Sequence, residues 1–232
     1  MKIASISGFF IMMTLVSCKI YMPQPVPIPL LSSSGDLQVS AGISVPPALN
    51  AFIAYSPLNH TEIQVYSEIG PETGRNIQGA AGYYWKNTQN LSFEVLGGIN
   101  LGNGKAVNNT SGPSMEGHYK AYFGQFNFGQ TAFGTRNIDY GVGLKTGMFS
   151  IDVTDRGYYE NQKLDPNYFS NQYLSLEPMA FIRIGKGRLR SGFQISGSSL
   201  IGLSSKQKPI PYHSLTLGIT LNYSLSKIHG TR

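Results

Sequence analysis

The chain has 232 residues and a formal net charge of +6 at pH 7, yet only 13% of its residues are charged, while Gly (27), Tyr (14) and Phe (12) are abundant. That length suits one domain, and so few charges would leave a soluble surface poorly covered. The positive balance does not point to nucleic acid, because no basic run or basic helix gathers it into a patch.

The N-terminus comes first. Lys2 supplies a positive start, and Ile3 to Val16 form an apolar stretch too short for a spanning helix. It ends in Leu15-Val16-Ser17-Cys18, which resembles a bacterial lipobox. Residues 1–17 are therefore read as a lipoprotein signal peptide, with Cys18 as the first mature residue and the carrier of covalent acyl chains of the palmitate type. The alternative is a buried thiol beside an ordinary signal peptide. Cys18 is the only cysteine, so a disulfide within the chain is excluded. Residues 18–34 hold prolines at 23, 25, 27 and 29, which favour an extended, polyproline-like tether between lipid and domain.

Residues 35–232 then read as one all-β domain. Ten segments alternate or run apolar in the manner of strands: 36–44, 48–56, 61–69, 75–86, 90–101, 118–128, 136–150, 171–185, 188–199 and 213–225. The stretch Leu174–Gly185 shows the pattern well. Its even positions are wholly apolar, while its odd positions carry Glu177 and Arg183. Most segments approach the nine to eleven residues that a tilted strand needs to cross a bilayer, about twice the soluble average. The long connections (102–117, 152–170 and 202–212) all fall at one end of such an array, and the even-numbered turns at the other end are short. Bacterial barrels have short periplasmic turns and long extracellular loops. The expected fold is thus a ten-stranded antiparallel up-and-down transmembrane β-barrel. A soluble tethered sandwich is the rival, favoured by Pro178, which removes a ladder donor.

Several stretches also carry a resemblance: "GDLQVSAG", "AYSPLNH", "FEVLGGINLG", "YKAYFGQFNFG" and "QISGSS" resemble uncharacterised Bacteroidota lipoproteins with an outer-membrane β-barrel domain. The resemblance implies a lipoprotein and a barrel, and brings no activity or functional residue. Surface-exported lipoproteins of that group often carry acidic residues after the cysteine. Lys19-Ile20-Tyr21 stand here instead, so the anchor is expected to face the periplasm.

Candidate chemistry is sparse. "GGINLGNGK" lacks the first glycine and the Ser/Thr of a phosphate loop. His118 and His213 both begin strands at the extracellular rim, with Asp152 and Asp155 near it, and a His–Asp pair there has the chemistry to activate water or a serine. No pattern ties these residues together as catalytic or metal-binding. The inward face is read as Glu62, Glu68, Glu94, Lys120, Asp139, Lys145, Glu177, Arg183 and Arg190, with Tyr66, Tyr84, Tyr122, Tyr173 and Phe181, although the sixth segment is aromatic on both faces. Antiparallel partners have a constant sum of residue numbers. Asp139 with Arg183 and Lys145 with Glu177 share the sum 322, so one register satisfies both pairs, and a tight turn at 185–188 sets Arg190 opposite Arg183. Paired charges of this kind would fill a narrow lumen. The functional expectation is a lipid-anchored barrel with a structural or interaction role, as an accessory subunit of a larger envelope complex. Its expected partners are outer-membrane lipid and another envelope protein, without nucleic acid, metal, or any cofactor beyond the lipid at Cys18. The alternatives are an outer-membrane enzyme of the lipid-A hydrolase or protease type, and a small channel.

Overall fold

A computed structural model describes residues 20–21, 23, 28–71, 74–87, 90–106, 114–131, 138–156, 158–159, 162–163, 166–205, 207 and 210–225. The expected signal peptide and Cys18 lie outside the described residues. Among the described residues, ten antiparallel strands follow one another in sequence order and close into a barrel. They are β1 (Leu37–Val45), β2 (Ala48–Tyr55), β3 (Thr61–Gly70), β4 (Gly74–Lys86), β5 (Leu91–Ala106), β6 (Ser114–Gln130), β7 (Ile138–Arg156), β8 (Asn167–Ile184), β9 (Leu189–Gly197, continued by Ser199–Gly202) and β10 (Leu215–Leu225). β10 pairs with both β1 and β9, so the sheet has no free edge to satisfy in an apolar medium.

The proline that favoured a sandwich explains the two pieces of β9. Met179 faces Ser196 and Leu176 faces Ser199, one unbroken register. The ladder skips between them because Pro178 offers no N–H to the residue opposite. On its other side Pro178 still stands in register with Leu144. The barrel absorbs one lost bond without opening.

Side chains alternate between an apolar exterior and a polar interior. Leu49, at 62% exposure, and Ile219, at 60%, stand on the outer face with some three dozen other large apolar side chains. A soluble monomer does not carry an apolar belt of that size. Tyr55, Tyr83, Trp85, Tyr140 and Tyr223 ring the belt near the short turns, as interfacial aromatics do. On β5 the outward apolar residues run from Phe93 to Leu101, matching the roughly nine to eleven residues of a spanning strand. This is a transmembrane barrel.

Beyond that belt the outer face turns polar. Leu101 is in register with Lys120, and Asn103, His118 and Asp152 form the next outward row. β5 to β8 nevertheless continue, so these strands are 16 to 19 residues long and extend well past the segments expected from sequence. They rise past the belt as a four-stranded tongue, which shortens the loops. Its end is tied by Glu116, which meets Lys105 at 2.9 Å and Arg156 at 3.6 Å. The hydrogen bond from Lys105, with the charge of Arg156 behind it, holds the Glu116 carboxyl below its ordinary range.

Two expectations need correction. On β6 the odd residues point inward, so Lys120 and Tyr122 face outward and Tyr119, Ala121, Phe123, Gln125 and Asn127 line the interior. Registers with β5 and β7 decide this, because an aromatic run on both faces cannot. Lys120 lies 4.7 Å from the centre of the Tyr122 ring, at the upper edge of the belt. The second correction concerns the segment read as a tether. Its described residues Ile20, Tyr21, Pro23, Ile28, Leu30 and Leu31 are buried inside the barrel.

Closed barrels of this kind resist detergent at room temperature. Unboiled protein should therefore migrate differently from boiled protein in a detergent gel; identical migration would argue against closure.

Candidate functional site: the occupied lumen

The lumen is built from alternate residues of ten strands plus one strand-less arm. Starting at the short turns, Ser32 and Ser33 cap Asp36, with backbone N–H groups donating to its carboxylate at 2.9 Å. Moving inward, Leu31 N–H donates to Glu94 Oε1 at 3.2 Å, and Asn127 Nδ2 donates to Glu94 Oε2 at 2.8 Å. Ile28 carbonyl accepts from Arg183 Nη2 at 2.7 Å, and Pro23 carbonyl accepts from Thr216 Oγ1 at 2.9 Å. The Tyr21 hydroxyl donates to Glu177 Oε1. At the far end Ile20 N–H donates to Pro211 carbonyl, and His213 N–H donates to Tyr21 carbonyl, each at 2.9 Å. An extended proline-rich segment forms no internal hydrogen bonds. Its polar backbone is therefore free to be satisfied by lumen donors, and prolines leave fewer N–H groups in need of acceptors.

Apolar packing follows the same path. Ile28 and Leu30 lie with Met179 and Phe181, Leu31 with Phe52, Tyr66 and Tyr84, and Ile20 and Tyr21 with Tyr119, Phe149 and Ile151. Tyr21 meets the Tyr119 ring edge-on at 5.2 Å and Phe149 at 4.6 Å. Close approach needs glycine here: a Cβ on Gly104 would stand 2.1 Å from Ile20 carbonyl oxygen, and one on Gly117 would stand 2.4 Å from Ile20 Cγ2.

Apart from Lys120, the charged residues named as inward from sequence line the wall around this arm. β7 and β8 pair Lys145 with Glu177 and Asp139 with Arg183, both at the sum 322. Lys145 Nζ lies 2.7 Å from Glu177 Oε2, and Arg183 Nε lies 3.9 Å from Asp139 Oδ2. Arg190 from β9 also pairs with Asp139, which thus serves two guanidinium groups. One detail differs: Arg183 faces Gly192, not Arg190. The turn at 185–188 closes on the pair Ile184–Ser191, with Gly187 at φ 70°, which places Arg190 two residues nearer the turn. There it reaches Asp139 diagonally. All five charges are 5% exposed or less, so each depends on its partner. Glu62 is also buried, and neither of its oxygens has a hydrogen-bond partner among the described residues.

The rim histidines do not assemble. His118 projects from the outer face of the tongue, in register with Asp152 on β7. His213 precedes β10, four strands away around the ring, and holds the arm through its backbone. No group of three or more metal-ligating side chains occurs among the described residues. Sequence reasoning missed Tyr21, Asn127 and Gln78 as lumen partners. Their only signal was inward parity on a strand, and for Tyr21 there was no strand.

Removing the carboxylate from Glu177 leaves Lys145 with the Gln78 Oε1 contact at 3.4 Å and the Phe123 ring face at 5.5 Å, neither of which carries the opposite charge. Glu177→Gln should therefore destabilise the barrel by about 2–4 kcal/mol in urea unfolding. Exchanging the pair, Lys145→Glu with Glu177→Lys, should restore only part, because Tyr21 loses its acceptor. A swap no better than the single variant would show that the pair does not act as a unit.

Neither a family model nor a curated protein matches the sequence. Among solved structures the fold is similar to the N-terminal β-barrel domain of OprF from Pseudomonas aeruginosa, at 8% identity and a TM-score of 0.37, covering 84% of this chain and all of that one. It is similar also to the KdgM porin, at 11% identity and a TM-score of 0.38, covering 82% of this chain and 99% of the other.

Proposed function

We propose that the chain is a lipid-anchored outer-membrane barrel with a structural or interaction role, an accessory subunit of a larger envelope complex, and not a conduit. The observation that carries this reading is the filled lumen: arm, ion pairs and aromatic rings occupy the volume that a channel would keep for water. The long connections and polar tongue supply the surface that a partner would use, and the lipobox-like run before Cys18 supports the anchor.

Purified protein in planar bilayers should give no conductance steps, and extraction in mild detergent should bring an envelope protein with it. Intact-mass analysis should show acyl chains, lost in Cys18→Ala. Steady wild-type conductance would favour the channel reading, and a bare polypeptide mass would remove the anchor.

A further inference from the structure

The direction of the arm bears on which side of the membrane the N-terminus occupies. At β1 the chain is among the short turns, where Gly35 N–H donates to Ser56 carbonyl at 2.7 Å. Going back toward the N-terminus, each contact lies higher on β7 and its neighbours. Ile28 packs beside Gly143, Tyr21 beside Phe149, and Ile20 beside Ile151. Ile20 then sits between Gly104, Gly117 and Pro211, on the tongue and the β9–β10 connection, beyond the apolar belt. Eleven residue steps separate Ile20 from Leu31, and at about 3.1 Å per residue an extended arm covers roughly 34 Å, enough to cross a bilayer core of about 30 Å.

We infer that the arm runs through the whole barrel, so that the chain preceding Ile20 leaves on the face of the long loops. Given the outer-membrane orientation proposed above, on which this rests, that face is the cell surface. Cys18 is two residues from Ile20, and at about 3.8 Å per residue it stands no more than about 8 Å away. Its acyl chains therefore meet the outer leaflet, opposite to the periplasmic anchor expected from the residues after the cysteine. The barrel is then the route by which its own lipidated end reaches the surface. Withdrawal toward the periplasm is opposed by the Pro23 and Ile28 carbonyls bonded to the wall and by Ile20 and Tyr21 wedged under the tongue.

Two measurements on the full chain test this. Ile20→Cys with Gly117→Cys places two thiols where Ile20 Cγ2 already crowds the Gly117 position. Copper-phenanthroline oxidation should link them, giving a faster band on a boiled, non-reducing gel. Absence of the link overturns the threaded path. The second uses Lys19→Cys, whose thiol is unique because that of Cys18 is acylated, with Asn108→Cys in the β5–β6 loop and Lys186→Cys in the short β8–β9 turn as side markers. An impermeant maleimide on intact cells should label Lys19→Cys together with Asn108→Cys, and should label Lys186→Cys only after permeabilisation. Lys19→Cys tracking with Lys186→Cys refutes the inference. If Lys19→Cys tracks with Asn108→Cys but both are shielded on intact cells, threading stands and the proposed membrane orientation fails.

Discussion

Asp139→Asn should lower barrel stability by about 3–5 kcal/mol, the largest loss expected from any single charge removal in the wall. The reason is its position between two cations. Arg190 from β9 pairs with its carboxylate directly, and Arg183 from β8 approaches to 3.9 Å. Neither guanidinium can be moved to water, since Arg183 is 4% exposed and Arg190 5%. Arg183 has some further support: it donates to Ile28 carbonyl and its Cζ lies 4.5 Å from the centre of the Phe181 ring. Arg190 makes the closer of the two ion pairs with Asp139 and should be the more sensitive partner. Adding Arg190→Gln to Asp139→Asn should recover a measurable part of the loss, because it removes a cation left without its carboxylate. Urea or guanidinium unfolding of the reconstituted barrel gives the midpoint shifts. A loss below about 1 kcal/mol for Asp139→Asn would mean that water reaches these side chains.

Deleting residues 20–31 should turn a silent barrel into a conducting one. The deletion empties the lumen of Ile20, Tyr21, Ile28, Leu30 and Leu31, all buried, and exposes polar wall groups to water. The strands do not need the arm for closure, since the ladder from β1 through β10 is complete without it. Ordering an arm costs about 1–2 kcal/mol per residue in backbone entropy, a cost that opposes much of its apolar burial and that the four prolines reduce. The folded fraction should thus fall far less than a count of buried side chains suggests, and the shift between unboiled and boiled protein should persist. Conductance is the large effect. With the arm gone, Glu62, Glu68, Glu94, Asp139 and Glu177 face Lys145, Arg183 and Arg190 across the lumen, so the pore should prefer cations. A truncated barrel that stays folded and silent would show that the wall side chains alone close the lumen.

Much of this protein was determined by its sequence alone. Period-two alternation defines a strand without any knowledge of its neighbours, and ten such stretches with long connections at one end specify an up-and-down barrel. The pairing of Lys145 with Glu177 and of Asp139 with Arg183 is legible for a similar reason: antiparallel register is arithmetic, and two opposite charge pairs at equal spacing leave one solution. Register becomes illegible where the turn has freedom, as at 185–188, where two extra residues before the first pair move Arg190 past Arg183. Facing becomes illegible where both faces are aromatic, as on β6, which β5 and β7 orient from either side. The extent of β5 to β8 above the belt depends on cross-strand contacts such as Lys105 with Glu116, not on apolar periodicity. The arm was decided only by tertiary structure. A proline-rich segment has no period to declare a face, and the wall groups that hydrogen-bond it, from Thr216 to Arg183 and Glu94, lie more than sixty residues away in sequence. Its sequence sets an extended shape, and only the closed barrel supplies the donors that turn that shape into a filling for the lumen.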